Sequence, residues 1–243
     1  MKRLSAVAVA LLIASSSAFA SWDYFPPKES GGEAKLGFAY SIPAEKRADM
    51  GLYLGARYTI IEGLEASLIL PVPLSSSFDG NGAKDYVGLG YDPATDKKFT
   101  LGVRYWLPMG LGLFVDAFLP VDTRDGYEPD FDMDAGVQYS MTINDQMKFG
   151  AELGLALPII ENEDFDMYIG AEFNYSLGMV TPLIGIGLGN LLSDADMTFD
   201  LTVGATFEIN EALGADVTVG LGLAGYGDNN MPVTIGASVS YGF

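Results

Sequence analysis

Apolar and polar residues alternate one by one along most of this 243-residue chain. In Met50–Ile60 the apolar set is Met50, Leu52, Leu54, Ala56, Tyr58 and Ile60, interleaved with Gly51, Tyr53, Gly55, Arg57 and Thr59. Phe131–Met141 repeats the pattern, with Phe131, Met133, Ala135, Val137, Tyr139 and Met141 against Asp132, Asp134, Gly136, Gln138 and Ser140. A period of two marks a β-strand with one face in an apolar medium and the other in a polar one. Twelve such segments follow one another. They are Ala34–Ile42, Met50–Ile60, Leu64–Pro73, Lys98–Leu107, Leu111–Pro120, Phe131–Met141, Met147–Leu157, Asp166–Leu177, Val180–Gly189, Met197–Glu208, Leu213–Ala224 and Val233–Tyr241. Most are close to the ~9–11 residues that a tilted strand needs to cross a bilayer.

The connections alternate in length. Glu62-Gly63, Pro108–Gly110, Thr142–Gln146, Gly178-Met179 and Ile209–Ala212 are tight turns. Pro43–Asp49, Leu74–Lys97, Val121–Asp130, Pro158–Phe165, Asn190–Asp196 and Gly225–Pro232 are longer. An even number of strands with this rhythm predicts an all-β fold, a transmembrane antiparallel up-and-down β-barrel of about twelve strands, with both termini and the short turns in the periplasm. Asp85–Tyr91, DYVGLGY, reads as part of the longest outer loop, with an extra strand as the alternative.

The charges obey the same register. With each strand's phase set from its apolar residues alone, all the charged residues within the strands fall on the opposite parity: Glu33, Lys35, Arg57, Glu65, Lys98, Arg104, Asp116, Asp132, Asp134, Lys148, Glu152, Asp166, Glu172, Asp200, Glu208 and Asp216. Arg or Lys facing lipid at mid-bilayer costs about 2–4 kcal/mol, so this parity is what a membrane barrel requires. A β-sandwich would also alternate, but with its polar face outermost and without the long and short loops. Outward aromatics near the ends of the descending strands, Tyr58, Tyr105, Tyr139, Tyr175, Phe207 and Tyr241, recur after the first at roughly 34-residue steps. They predict an aromatic girdle at the periplasmic interface, where amphipathic rings are favoured.

Composition narrows the setting. Residues 1–20 place Lys2 and Arg3 before an apolar run ending in Ala18-Phe19-Ala20, which reads as a secretory signal peptide and is set aside from the fold. Residues 21–32, SWDYFPPKESGG, read as a periplasmic lead-in too short to plug a barrel, and residues 33–243 as the barrel itself. There is no Cys, hence no disulfide framework and no lipid-anchoring cysteine. Asp and Glu number 32 against 13 Lys and Arg, a net charge of −19. So acidic a chain argues against nucleic-acid binding, which depends on basic side chains. Solvated acidic loops account for the charge most simply. Cation-bridged lipopolysaccharide and a cation-preferring pore are the other readings.

The chain closes on Met231–Phe243, MPVTIGASVSYGF, a strand with Val233, Ile235, Ala237, Val239, Tyr241 and Phe243 on one face and small residues on the other. It resembles the final strand of bacterial outer-membrane β-barrels, which ends in Phe. That resemblance implies the outer membrane of a Gram-negative-type bacterium, lipid and lipopolysaccharide as surroundings, and Phe243 as the signal read by the barrel-assembly machinery. Three ascending strands end in Leu-Pro, at Leu70-Pro71, Leu119-Pro120 and Leu157-Pro158. With the chain length, these make it similar to twelve-strand outer-membrane transporters of the phenol-degradation (MetA-pathway) type, a group implied to pass small organic molecules.

No His and no Cys are present, which excludes Ser-His-Asp catalysis, a Cys nucleophile and a His-ligated metal. The His-dependent phospholipases and aspartyl proteases of outer-membrane barrels are therefore poor matches, and no enzyme, cofactor or metal is expected. FDGNGAKD at Phe78–Asp85 lacks full calcium-loop spacing. LIGIGLG at Leu183–Gly189 is a strand with no helix after it, not a dinucleotide loop.

The candidate chemistry lies in the lumen. The candidate constriction is Arg57, Glu65, Arg104, Asp116, Lys148, Glu152 and Glu172. Arg57 with Glu65 and Arg104 with Asp116 are expected as neighbours across tight hairpins. Glu152 and Glu172, on adjacent strands, would need a cation between them or a proton on one. Inward glycines, among them Gly37, Gly136, Gly150, Gly154 and Gly170, are expected either to leave a narrow water-filled passage or to relieve curvature. The reading is a passive narrow pore for small neutral or cationic solutes. The alternative is a non-conducting structural or surface-interaction barrel with acidic outer loops.

Overall fold

The computed structural model describes residues 24–26, 31–42, 49–74, 76–77, 84–85, 98–123, 130–158, 165–226 and 231–243. The strands are β1 (Gly32–Ile42), β2 (Asp49–Ile61), β3 (Leu64–Pro73), β4 (Ser76–Ser77), β5 (Lys84–Asp85), β6 (Phe99–Trp106), β7 (Leu111–Leu119), β8 (Asp132–Asn144), β9 (Met147–Pro158), β10 (Asp166–Tyr175), β11 (Val180–Gly189), β12 (Thr198–Glu208), β13 (Leu213–Ala224) and β14 (Val233–Gly242). Twelve of them form one closed antiparallel barrel in which each pairs with its neighbours in sequence, β3 pairs with β6, and β1 pairs with β14. The short β4 and β5 form a separate two-stranded ribbon. Beyond Asp85, the segment considered as an extra strand lies outside the described residues, as do the signal peptide and most of the calcium-loop-like stretch.

The inside-out distribution follows from the strand period. Leu36 is 52 % exposed and Val239 49 %, and Val137 and Ile235 face outward with them. Among the described residues the buried apolar side chains are few, and they sit inside the wall: Ala39, Tyr53, Trp106, Phe114 and Leu183, with Tyr24 and Phe25 from the lead-in. Buried beside them are Lys35, Glu65, Arg104, Gln138, Glu152 and Glu172. A closed wall that is oily all round and polar within has lipid, not water, as its complementary solvent. The protein is a membrane-spanning β-barrel.

Closure depends on the two chain ends meeting. The Gly32 N–H donates to the Phe243 carbonyl at 2.8 Å, and the Phe243 N–H to the Gly32 carbonyl at 2.9 Å. Gly31 makes the approach possible: its φ is +105°, and a methyl group there would run into the Phe243 carbonyl. At the same end, two turns share one device. The Asn144 Oδ1 accepts from the backbone N–H of Gln146 and Met147, and the Asn210 Oδ1 from Ala212 and Leu213. An Asx turn of this kind fixes the loop with a side chain where the ladder ends.

The Pro108–Gly110 turn is less comfortable, because Met109 has φ 73° and is 91 % exposed. Met109→Gly should therefore raise unfolding stability by about 0.5–1 kcal/mol, the left-handed strain outweighing glycine's unfolded-state entropy. The midpoint of urea unfolding from lipid vesicles measures it, and an unchanged or lower midpoint would show the turn to be unstrained.

Candidate functional site: the barrel lumen

Inward residues on neighbouring strands meet across the ladder, and the register decides which. Gly102 lies opposite Asp116 and Arg104 opposite Phe114, so Arg104 and Asp116 are diagonal neighbours. The guanidinium grips the carboxylate with both arms, Nη2 to Oδ2 at 3.0 Å and Nη1 to Oδ1 at 3.2 Å. Arg57 lies between two acids, with Nη2 2.8 Å from Glu33 and Nη1 3.7 Å from Glu65. Lys98 contacts Asp132. Lys35 reaches Asp216 at 2.9 Å, with only 1 % of the lysine side chain exposed. The two hairpin pairs expected from sequence thus come together, with Glu33 as an unexpected third member.

The β8–β10 wall is of another kind. Gln138 donates to the Glu152 Oε2 at 2.9 Å, and the Tyr168 hydroxyl to the Asp134 Oδ2 at 3.3 Å. Asp166 accepts from the Leu192 N–H at 3.0 Å and the Ser193 hydroxyl at 3.4 Å. Glu152 lies opposite Gly170, and Glu172 opposite Gly150, in a chequerboard of two acids and two glycines. Lys148 stands apart, exposed at the turn end of β9. Cations hold the acids on one side of the barrel, and neutral donors hold several on the other.

The lead-in does not stay outside. Tyr24 is 5 % exposed and Phe25 9 %, and both lie in the lumen against the glycines of that chequerboard. A methyl group on Gly150 would stand 2.5 Å from the Tyr24 Cβ and 2.7 Å from its carbonyl, and one on Gly170 would meet the Tyr24 hydroxyl. Arg57 Nη1 donates to the Phe25 carbonyl at 3.4 Å. Two residues of the lead-in, expected to be too short to plug the barrel, thus sit inside it against inward glycines.

The inward glycines elsewhere are not empty space either. Four of the five inward aromatics among the described strands face a glycine directly across the ladder, Tyr53 and Gly37, Trp106 and Gly112, Phe114 and Gly136, Tyr168 and Gly154, while Phe118 faces Thr100 and Asp132. A methyl group at Gly37, Gly136 or Gly154 would run into the ring, and one at Gly112 would press on it at 3.0 Å. Glycine here makes room for an aromatic to lie flat on the wall.

Solved structures share this architecture. The COG4313 outer membrane channel from Pseudomonas putida F1 superposes with a TM-score of 0.66 at 15 % identity, over 91 % of this chain and 98 % of that one. The CymD monoaromatic hydrocarbon channel gives 0.58 at 11 % identity, over 89 % of each chain. The KdgM porin gives 0.56 at 10 % identity, over 86 % of this chain and 99 % of its own. This chain has the same closed-barrel fold as these outer-membrane channels. No protein-family model matches its sequence, and no curated protein does either.

At the turn end of the barrel lies a mouth of about 950 Å³, lined by Pro26, Glu33, Arg57, Thr206, Glu208 and Ser240 among others. Around its rim Tyr58, Tyr105, Tyr139, Phe207 and Tyr241 are exposed on the outer face. Tyr175, half-buried, bonds through its hydroxyl to the Gln146 Oε1 at 3.3 Å. Phe243 is 65 % exposed. Sequence reasoning missed the lumenal roles of Tyr24, Phe25, Gln138 and Tyr168. The glycine facing an inward aromatic was a legible signal for Tyr168, while nothing periodic marked Tyr24 and Phe25.

Proposed function

We propose that this barrel is a passive outer-membrane channel whose narrow lumen favours small neutral or cationic solutes. The observation that carries the reading is the asymmetry of the wall. Lys35, Arg57, Lys98 and Arg104 are each engaged with a carboxylate, while Asp134, Glu152, Asp166 and Asp200 take bonds from neutral donors. An anion entering this lumen meets cations already neutralised and carboxylates that repel it; a cation meets the reverse. The mouth at the turn end carries Glu33, Glu208 and Glu211 and adds to that field.

Single-channel recording across a salt gradient tests this. A reversal potential of cation-selective sign is expected, moving towards zero in Glu152→Gln/Glu172→Gln. An unchanged potential in that variant would remove the two acids from the permeation path. Silence in a verified folded sample would instead favour the non-conducting barrel, which the placement of Tyr24 and Phe25 in the lumen makes a real competitor.

A second reading, small apolar solutes, rests on the wall rather than the lumen. Among the described residues β3 pairs with β6 from Leu64 to Ile69 and then runs on to Pro73, with Pro71 and Pro73 bringing no N–H to a ladder. The two prolines weaken the seam in the outer half of the barrel, and CymD is a monoaromatic hydrocarbon channel. A cysteine pair bridging the β3–β6 seam separates the readings: it should leave ion conductance intact under the first and abolish uptake of an apolar solute under the second.

A further inference from the structure

The described lead-in residues cross the lumen rather than line it. Tyr24 rests on Gly150 of β9 and Gly170 of β10, and the next residue, Phe25, gives its carbonyl to Arg57 of β2 at 3.4 Å. β10 and β2 stand six places apart in a closed ring of twelve strands, so the two attachments lie across a diameter. Arg57 is held in turn by Glu33 and Glu65, which stiffens the far end. Tyr24, Phe25 and Arg57 thus form a bar that divides the lumen.

The two halves are not alike. On the β6–β9 side, Arg104, Trp106, Phe114, Gln138 and Glu152 fill the space and are buried. On the other side, β12, β13 and β14 turn inward mainly glycine, serine and threonine, and Thr202, Gly204, Thr206, Gly214, Gly220 and Ser240 remain partly exposed. A methyl group on Gly185, directly across the ladder from Thr202, would meet nothing closer than 3.5 Å, while one on Gly150 would stand 2.5 Å from Tyr24. The mouth opens on the same side. Apart from Pro26 of the lead-in and Arg57 of the bar, its lining comes from β12–β14 and their turns, the β10–β11 turn and the start of β1, with no residue of β3 or of β6–β9.

We propose that the water-filled path of this barrel is an off-centre slot along β12–β14 and β1, separated by the bar from the half that holds the large side chains. It rests on the channel reading above and names the side of the lumen that carries it. Hydroxyls and bare backbone line the slot, which suits uncharged hydrogen-bonding solutes of polyol type better than apolar ones. Glu152 and Glu172 flank the glycines on which Tyr24 sits, and they act on a passing ion through their charge rather than by contact.

Thr100 and Thr202 make a matched pair for the test. Each faces inward five residues before the girdle aromatic of its strand, Tyr105 or Phe207, and β6 and β12 stand opposite one another in the ring. Thr100 is 5 % exposed, whereas Thr202 is partly open. The chain has no Cys, so a single Thr→Cys change reports on its own position. With the full mature chain in lipid vesicles, a trimethylammonium methanethiosulfonate reagent should label Thr202→Cys about tenfold or more faster than Thr100→Cys, read by mass. The labelled Thr202→Cys barrel should lose most of its current and of its glycerol flux. Equal rates, or faster labelling of Thr100→Cys, overturn the slot even in a barrel that conducts. Faster labelling of Thr202→Cys in a barrel that passes neither ions nor glycerol supports the slot and defeats the channel reading instead. Ser240→Cys takes the place of Thr202→Cys if that variant does not insert, with the same outcomes.

Discussion

A chain cut back to Ser30, without Tyr24 and Phe25, is expected to pass severalfold more current per channel than the full mature chain. The reason is geometric. Each aromatic side chain brings a large area into contact, and these two rest on Gly150 and Gly170, where the wall leaves room for them. Gly150→Ala gives the same test without shortening the chain. Its new methyl would stand 2.5 Å from the Tyr24 Cβ and 2.7 Å from its carbonyl, so no rotation of the Tyr24 side chain relieves the clash and the segment must leave its seat. Arg57→Lys loosens the other attachment, because a lysine cannot hold Glu33 and the Phe25 carbonyl with separate arms. The expected order of conductance is the truncated chain, then Gly150→Ala, then Arg57→Lys, then the parent. If all four conduct alike, the two rings do not limit the path.

The sequence made the wall legible and its contents much less so. Parity separated Leu36 from Lys35 and Val103 from Arg104 because a strand's period is a local property, written in consecutive residues and enforced by the cost of charge in lipid. Hairpin pairs such as Arg104 with Asp116 were also legible, since a tight turn fixes the register of the strands it joins. The Lys35–Asp216 pair was not, because it depends on how the first strand meets the last two after closure. Glu33 joining Arg57 required β1 to begin at Gly32, two residues before the expected Ala34. The inward glycines are visible in the sequence as vacant volume or relief of curvature, but a ring lying on several of them is not. Tyr24 and Phe25 belong to a segment without a period, and only the finished lumen gives them a place.

Lys35→Met is expected to be the most destabilising single change in the wall, by about 3–5 kcal/mol. Lys35 is on β1 and Asp216 on β13, so the ion pair spans β14, the strand that closes the barrel. It can do so because β14 turns only small residues inward. Ser240 lies opposite Lys35 and Ser238 opposite both Gly37 and Asp216, leaving a low sill over which a lysine can reach. The small polar face of the last strand therefore has a mechanical role at the seam. Asp216 also accepts from the Thr206 hydroxyl at 2.7 Å and the Ser238 hydroxyl at 2.9 Å, so both its oxygens are held in place for the ammonium. Removing the cation leaves a carboxylate in an enclosed site with two neutral donors, and an uncompensated buried charge costs more than the pair itself contributes. The double variant Lys35→Met/Asp216→Asn should accordingly recover much of the loss, and the cycle should return a coupling well above the ~0–1 kcal/mol of an exposed pair. Urea unfolding from vesicles supplies all four corners. A cost for Lys35→Met within the range of an exposed pair would mean that backbone pairing between β1 and β14 closes the barrel without help from the clamp above it.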